Sequence, residues 1–339
     1  MATRGEVTVF ARRSEIDPLL LGAAESAKRY ASLAFSEGTR RVYASAWKAF
    51  DDFCTEQGLQ SLPASGTTLS LWLALLADMG MSPRTLHVRG AAVRAMHVST
   101  RNPDGKPYDS PTDTAEVKLV LKGIRRESAR MGQTPEQADP VTADLLRTVA
   151  GGIGRGSTMG IRDAAIVLLG FASAMRRGEI AAMRVEHVIP TDKGLLIRIP
   201  LSKGDQEGEG QAVAVPMARD PGLCPVRALR EWLQILRKEN MLEGRVFREI
   251  TTADRILPDS EGLTPESIGR IVRKRADAVG LEGRITAHSL RAGFATSALL
   301  KGAPIPKVRD HLRHTDVATT MRYFRDLERF LDHPGEGLL

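Results

Sequence analysis

The chain has 339 residues, 42% of them hydrophobic and 26% charged, enough for two or three domains that each bury a core. No continuous apolar run approaches the roughly 18 residues needed to span a bilayer, which excludes a membrane-embedded protein. The only cysteines, Cys54 and Cys224, support neither a disulfide framework nor a Cys-based zinc site. Forty-eight Lys and Arg against 41 Asp and Glu leave a net charge of +7, compatible with a phosphate-backbone partner without requiring one.

Residues 1–27 show no sustained period and no secretory pattern; they read as a loosely ordered arm, and a reducing cytoplasm is the expected compartment. From Thr39 to Glu56, Tyr43, Trp47, Phe50 and Cys54 recur at a spacing of three to four, which predicts an amphipathic helix stopped near Gly58. A second helix is expected over Thr68–Met79, and Ser82 with Pro83 makes an N-cap and first turn for a third reaching Val98. A fourth follows Pro111 and ends in Lys118, Lys122, Arg125, Arg126 and Arg130. Residues 28–130 therefore read as an all-helical unit with 15 basic and 10 acidic side chains. The Pro- and Gly-bearing stretch 131–140 reads as a linker to a second domain at 141–339. There, helices are expected near 142–151 and 160–173. Alternating apolar segments at Leu195–Leu201 and Gln211–Pro216 then flank a polar turn, Lys203–Gly210, as a β-hairpin. A helix at 224–238 and another opened by Thr264 with Pro265 and Glu266 and running to about Val279 follow, with three short helical stretches across 288–330. The fold class is mainly α with a small β-sheet. Trp47, Trp72 and Trp232 fall on apolar helical faces and are expected in cores.

No phosphate-loop, HExxH, GxSxG or Rossmann pattern occurs, so nucleotide hydrolysis, zinc proteolysis and serine hydrolysis lose their usual support. A cationic set remains: Arg176, Arg177 and Glu179 in AMRRGEI, Lys203 in SKGD, His288 and Arg291 in HSLRAGFAT, and His314 and Tyr323 in LRHTDVATTMRY. Guanidinium groups are planar, permanently cationic and bidentate, which suits Arg176 and Arg291 to converge on an anion. Imidazoles suit proton transfer near neutrality, and a phenol becomes a nucleophile when cations and a proton acceptor surround it. Taken singly, each has a plainer reading: Arg176 and Arg177 as solvated charges, Glu179 as an ordinary helix partner, Lys203 as a hairpin solubiliser, Tyr323 as a core aromatic. His311 and His314, near Asp310 and Asp316, make a poor metal site, and His311 is expected to face solvent or helix.

Together and in this order, the segments resemble the tyrosine recombinase (phage integrase) family. Its pattern is an Arg in G-L-R-x-x-E-L, a hairpin Lys, an H-x-x-R box and L-G-H-x(8)-Y. His314 and Tyr323 stand nine apart, as the pattern requires. The resemblance extends over about 36–330, because the helix TRRVYASAWKAFDDFC is similar to one in the family's core-binding domain. Two positions depart from it: Arg313 stands where the family usually has Gly, opening the turn to change or to a new phosphate contact, and Ala292 stands where many members have a second His.

The resemblance implies a simple, Cre-like site-specific DNA recombinase: a two-domain clamp acting through a 3′-phosphotyrosyl intermediate and a Holliday junction. Tyr323 would be the nucleophile, Arg176 and Arg291 the phosphate clamp, His288 the general base or proton relay, and His314 a donor to a phosphate oxygen. Lys203 would protonate the leaving 5′-hydroxyl, and Glu179 would orient the pocket. No cofactor and no metal are implied. The partner is double-stranded DNA carrying a specific site, bound by a homotetramer that is monomeric or weakly associated when free. A C-terminal apolar stripe, Leu327, Phe330 and Leu331, would join protomers. Candidate DNA contacts in the first domain are Arg40, Arg41, Arg84, Arg89, Arg94 and Lys122. Two alternatives stay open: a DNA-binding protein without catalysis, and a type IB topoisomerase-like relaxing enzyme.

Overall fold

The chain divides into two compact units, 1–135 and 136–339. The computed structural model describes residues 37–133, 138–200 and 210–328, with Ala23, Ser26, Tyr30 and Phe35. Most of the expected arm, Lys203 with its turn, Phe330, Leu331 and the side chain of Leu327 lie outside the described residues.

The first unit is built from α1 (Glu37–Glu56), α2 (Gly66–Asp78), α3 (Pro83–Ser99) and α4 (Ala115–Arg130). Three of these start where the sequence supplies a hydroxyl. Ser65, Ser82 and Thr114 accept from the amides of Thr68, Thr85 and Val117 at 3.0, 3.3 and 3.4 Å, each cap contributing about 1 kcal/mol. The fourth helix begins later than Pro111, which opens a separate short 3₁₀ turn, Pro111–Asp113, before the Thr114 cap. The helical period brings Phe50, Leu69, Trp72, Leu86, Val93 and Val117 into one core. His97 is buried there, its Nε2 accepting from the Ala64 amide and its Nδ1–H donating to the Val93 carbonyl, each at 2.9 Å.

The second unit runs α5 (Ala143–Gly151), α6 (Thr158–Ser173), α7 (Arg177–Ala182), β1 (Val188–Thr191), β2 (Gly194–Ile199), β3 (Gln211–Pro216), α8 (Pro225–Lys238), α9 (Pro265–Asp277), α10 (Ala287–Leu300), α11 (Ile305–Leu312) and α12 (Val317–Glu328). Every residue from Arg162 to Gly170 is buried, the mark of a helix surrounded by its own domain. Around α6 pack α8, α9 and α10. The expected hairpin is part of a three-stranded antiparallel sheet in the order β1-β2-β3, with Ile197 opposite both Val188 and Val213. Strand β1 escapes a period-based reading because only four residues, one of them Pro190, form it.

Two features fix the helices that carry the site. A Cβ on Gly293 of α10 would lie 1.7 Å from the Val141 carbonyl oxygen, so the chain entering α5 presses on α10 at a point only glycine permits. The Val141 amide also donates to the Ser289 carbonyl at 2.9 Å. Separately, buried Asp163 of α6 accepts from Arg162 Nη2 at 2.7 Å and from Arg275 Nη2 of α9 at 2.6 Å, tying those two helices together.

Candidate active site

Two left-handed turns frame the site: Ala174 after α6, with φ 48°, and Arg313 after α11, with φ 55°. Arg291 of α10 reaches both. Its Nη1 donates to the Ala174 carbonyl at 2.6 Å and its Nη2 to the Leu312 carbonyl. It is 1% exposed. Burial, then the charges of Arg176 and Arg313, push its pKa down to about 10, so it stays cationic at neutral pH.

Arg176 caps the N-terminus of α7. Its amide donates to Glu179 Oε2 and its Nη1 to Glu179 Oε1, both at 2.8 Å. Burial works against the Glu179 carboxylate, but Arg313 and the Arg176 amide and guanidinium outweigh it and hold the carboxyl below its ordinary pKa. Arg176 is thereby oriented while its side chain stays 31% exposed.

Tyr323 of α12 places its hydroxyl 3.1 Å from His288 Nε2. Its ring lies nearly parallel to that of His314, at 14° with centroids 6.4 Å apart. The pocket wall crowds His288 and, with Arg291 and Arg176, lowers its pKa. His314 is pushed down to about 4, first by burial and then by Arg291, Arg176, His288 and Arg313. Its Nδ1 sits 2.8 Å from Thr320 Oγ1, a fully buried hydroxyl.

The structure thus gathers Arg176, Glu179, His288, Arg291, His314 and Tyr323 at one place. Lys203 lies outside the described residues; the end of β2 that leads towards it, Ile199 and Pro200, lines a small cavity together with Glu179. Of the two expected settings, His311 takes the helical one: its Nε2 lies 3.0 Å from the Ala172 carbonyl of α6 and its ring stacks on Phe294 of α10 at 4.4 Å. Among the described residues no group of three or more His, Cys, Asp or Glu is placed to hold a metal ion.

Sequence reasoning passed over two features. Thr320 stands three residues before Tyr323, on the same face of α12, and that spacing was its only signal. A groove of about 840 Å³ beside His288 is lined by Arg176, Arg177, Arg270, Arg273 and Lys274. The signal there was the basic run RIVRKR on α9. In the first unit Arg40, Arg41, Arg84 and Lys122 are exposed. Arg94 is exposed as well and pairs with Asp113, whereas Arg89 is half-buried and lies over the Trp72 ring at 5.5 Å, with its Nε 3.2 Å from Met81 Sδ.

Comparison with known proteins bears on this site directly. Residues 143–329 match the profile of the phage integrase family, a span that contains every residue gathered above. The chain is 31% identical over 308 residues to an integrase/recombinase xerD homolog of Selenomonas ruminantium, covering 91% of this chain and 87% of that one. It is 23% identical to recombinase cre of Escherichia phage P1, over 87% and 86% of the two chains. In three dimensions it resembles the XerH site-specific recombinase in a pre-cleavage complex with difH substrate, with a TM-score of 0.54 at 17% identity over 78% of this chain and 68% of that one, which establishes the fold. The chain belongs to the phage integrase family and is a tyrosine site-specific recombinase.

Proposed function

We propose that this recombinase cleaves and rejoins double-stranded DNA at a specific site through a 3′-phosphotyrosyl bond on Tyr323. The observation that carries the reading is the 3.1 Å approach of the Tyr323 hydroxyl to His288 Nε2, beside Arg176, Arg291 and His314. With its pKa lowered, His288 is neutral at pH 7 and able to take the phenolic proton. The Tyr323 oxygen then forms a bond to phosphorus as the bond from phosphorus to the 5′-oxygen breaks. The leaving 5′-oxygen takes a proton, the role assigned to Lys203. Arg176 and Arg291 face the charge that gathers on the non-bridging oxygens. When Thr320 donates to His314 Nδ1, the Nε2–H of His314 is directed to one of those oxygens. Attack by a 5′-hydroxyl of the partner strand runs the same steps backwards, so rejoining consumes neither nucleotide nor redox equivalents.

In this reading Arg270, Arg273 and Lys274 of the groove contact backbone phosphates, as do Arg40, Arg41, Arg84 and Lys122 of the first unit. Four protomers exchange strands through a Holliday junction. The support is the family membership and the likeness to a recombinase solved with its DNA substrate.

The test is to incubate the protein and its Tyr323→Phe variant with fragmented DNA from the source replicon, denature with detergent and sequence the DNA that stays attached. An adduct made by the parent and absent from the variant is the expected result. Specific binding by both without an adduct would favour a DNA-binding protein, and relaxation of any supercoiled DNA without synapsis would favour a topoisomerase-like enzyme.

A further inference from the structure

Arg313 ends α11 at φ 55° and ψ 47°, a left-handed conformation that glycine holds without strain and an L side chain adopts at a cost. Its guanidinium folds inward and is only 5% exposed. There Nη2 donates to Glu179 Oε2 at 2.8 Å and Nη1 to the His311 carbonyl at 3.2 Å, while the buried Nε has no hydrogen-bond partner among the described residues. A strained backbone, a buried charge and an unmet donor all count against stability. Buried ion pairs seldom repay such costs relative to a residue that avoids them, and strain retained beside a reactive site points to function.

The geometry shows what the residue changes. Glu179 Oε1 accepts from Arg176 Nη1, and Glu179 Oε2 is divided between the Arg176 amide and Arg313 Nη2. With glycine at 313, one carboxylate would face Arg176 alone and cancel its charge where Arg176 borders the groove. With arginine there, two guanidinium groups share one carboxylate and the cluster keeps a net positive charge.

We infer that Arg313 is a positioning residue that shares Oε2 of Glu179, so that Arg176 stays oriented by the carboxylate yet presents a charge that Glu179 does not fully cancel to the scissile phosphate. Arg313 acts through Glu179 and does not itself touch the phosphate. The inference rests on the recombinase reading and deepens it.

The experiment compares Arg313→Gly, which the backbone favours and which therefore folds, with Arg313→Lys, which keeps the charge. On the DNA captured by the parent protein, single-turnover adduct formation by Arg313→Gly should fall about ten- to a hundredfold, the scale of one charge withdrawn from a partly desolvated site. DNA affinity should be unchanged and the melting temperature equal or higher, and Arg313→Lys should recover most of the rate. A parent-like rate in Arg313→Gly overturns the inference. So does an equal loss in both variants with lowered melting temperatures, which would mark a packing role. A second measurement needs no DNA: NMR titration of the His314 imidazole, which faces Arg291, Arg176, His288 and Arg313, with Thr320 and Tyr323 from α12. Arg313→Gly should raise that pKa and Arg313→Lys should leave it; an unmoved titration in Arg313→Gly overturns the electrostatic role. If the parent forms no adduct, the recombinase reading fails, and this titration still decides the role of Arg313.

Discussion

Gly293→Ala tests how tightly the site depends on the packing of α10. The added Cβ would start 1.7 Å from the Val141 carbonyl oxygen and 2.3 Å from its carbon, both backbone atoms unable to rotate away. Relief requires α10 and the segment before α5 to separate by more than about 1 Å. Overpacking of this kind costs about 1–3 kcal/mol, and in a unit of this size each kcal/mol lowers the melting temperature by roughly 2–4 °C. The kinetic effect should be larger. His288 and Arg291 lie on the same helix, five and two residues before the insertion, and a displacement of about 1 Å at a reacting group costs on the order of a hundredfold in rate. The assay is single-turnover adduct formation on the captured DNA, with a thermal melt of the same preparation. A variant that melts a few degrees lower and cleaves roughly a hundredfold more slowly is expected. Parent-like melting with a parent-like rate would refute the claim that the Val141 contact sets the position of α10.

Further expectations follow from the same geometry. Thr320→Val removes the hydroxyl beside His314 Nδ1 at nearly constant volume; adduct formation should fall about tenfold while stability drops by about 1 kcal/mol, read by cleavage kinetics and denaturant melts. Asp163→Ala strands Arg162 and Arg275 in the interior and should cost about 3–5 kcal/mol, seen as a large drop in the denaturation midpoint of the second unit. Stability should also depend on pH through His314. Unfolded, this imidazole takes its proton near 6.5; folded, only near 4, so between those values the unfolded state binds more protons and stability falls as the pH drops. The loss reaches at most about 3 kcal/mol, and His314→Asn should flatten the slope of unfolding free energy between pH 6.5 and 4.

What could be read from the residues divides along a physical line. Helix starts are encoded locally by a hydroxyl and, at α3 and α9, a proline beside it, so Ser82 with Pro83 and Thr264 with Pro265 were legible. The candidate set that the structure gathers was legible because the spacing of His288 to Arg291 and of His314 to Tyr323 survives in one dimension. The short α7 was not, because six residues carry no periodic signal and its start is held by Arg176 and Glu179 reaching across one turn. Nor was the burial of Arg291, whose partners are carbonyls at Ala174 and Leu312, far from it along the chain. Arg313 was visible as a departure, but the direction of its side chain depends on a left-handed turn and on Glu179, 134 residues earlier.

The charge of the site follows from these same contacts. His288 and His314 both have lowered pKa values, so near neutral pH neither adds a positive charge to the pocket. The field there comes from Arg176, Arg291 and Arg313 set against Glu179, whose carboxyl is held below its ordinary pKa. A rate that rises with pH below neutrality and then levels off would therefore report a proton leaving His288, not a change in the clamp on phosphate. His288→Gln should abolish that limb while leaving DNA affinity flat across the same range, because guanidinium contacts to a phosphate backbone do not depend on an imidazole proton. An affinity that titrates together with the rate would mean that an imidazolium, rather than the arginine set, holds the phosphate.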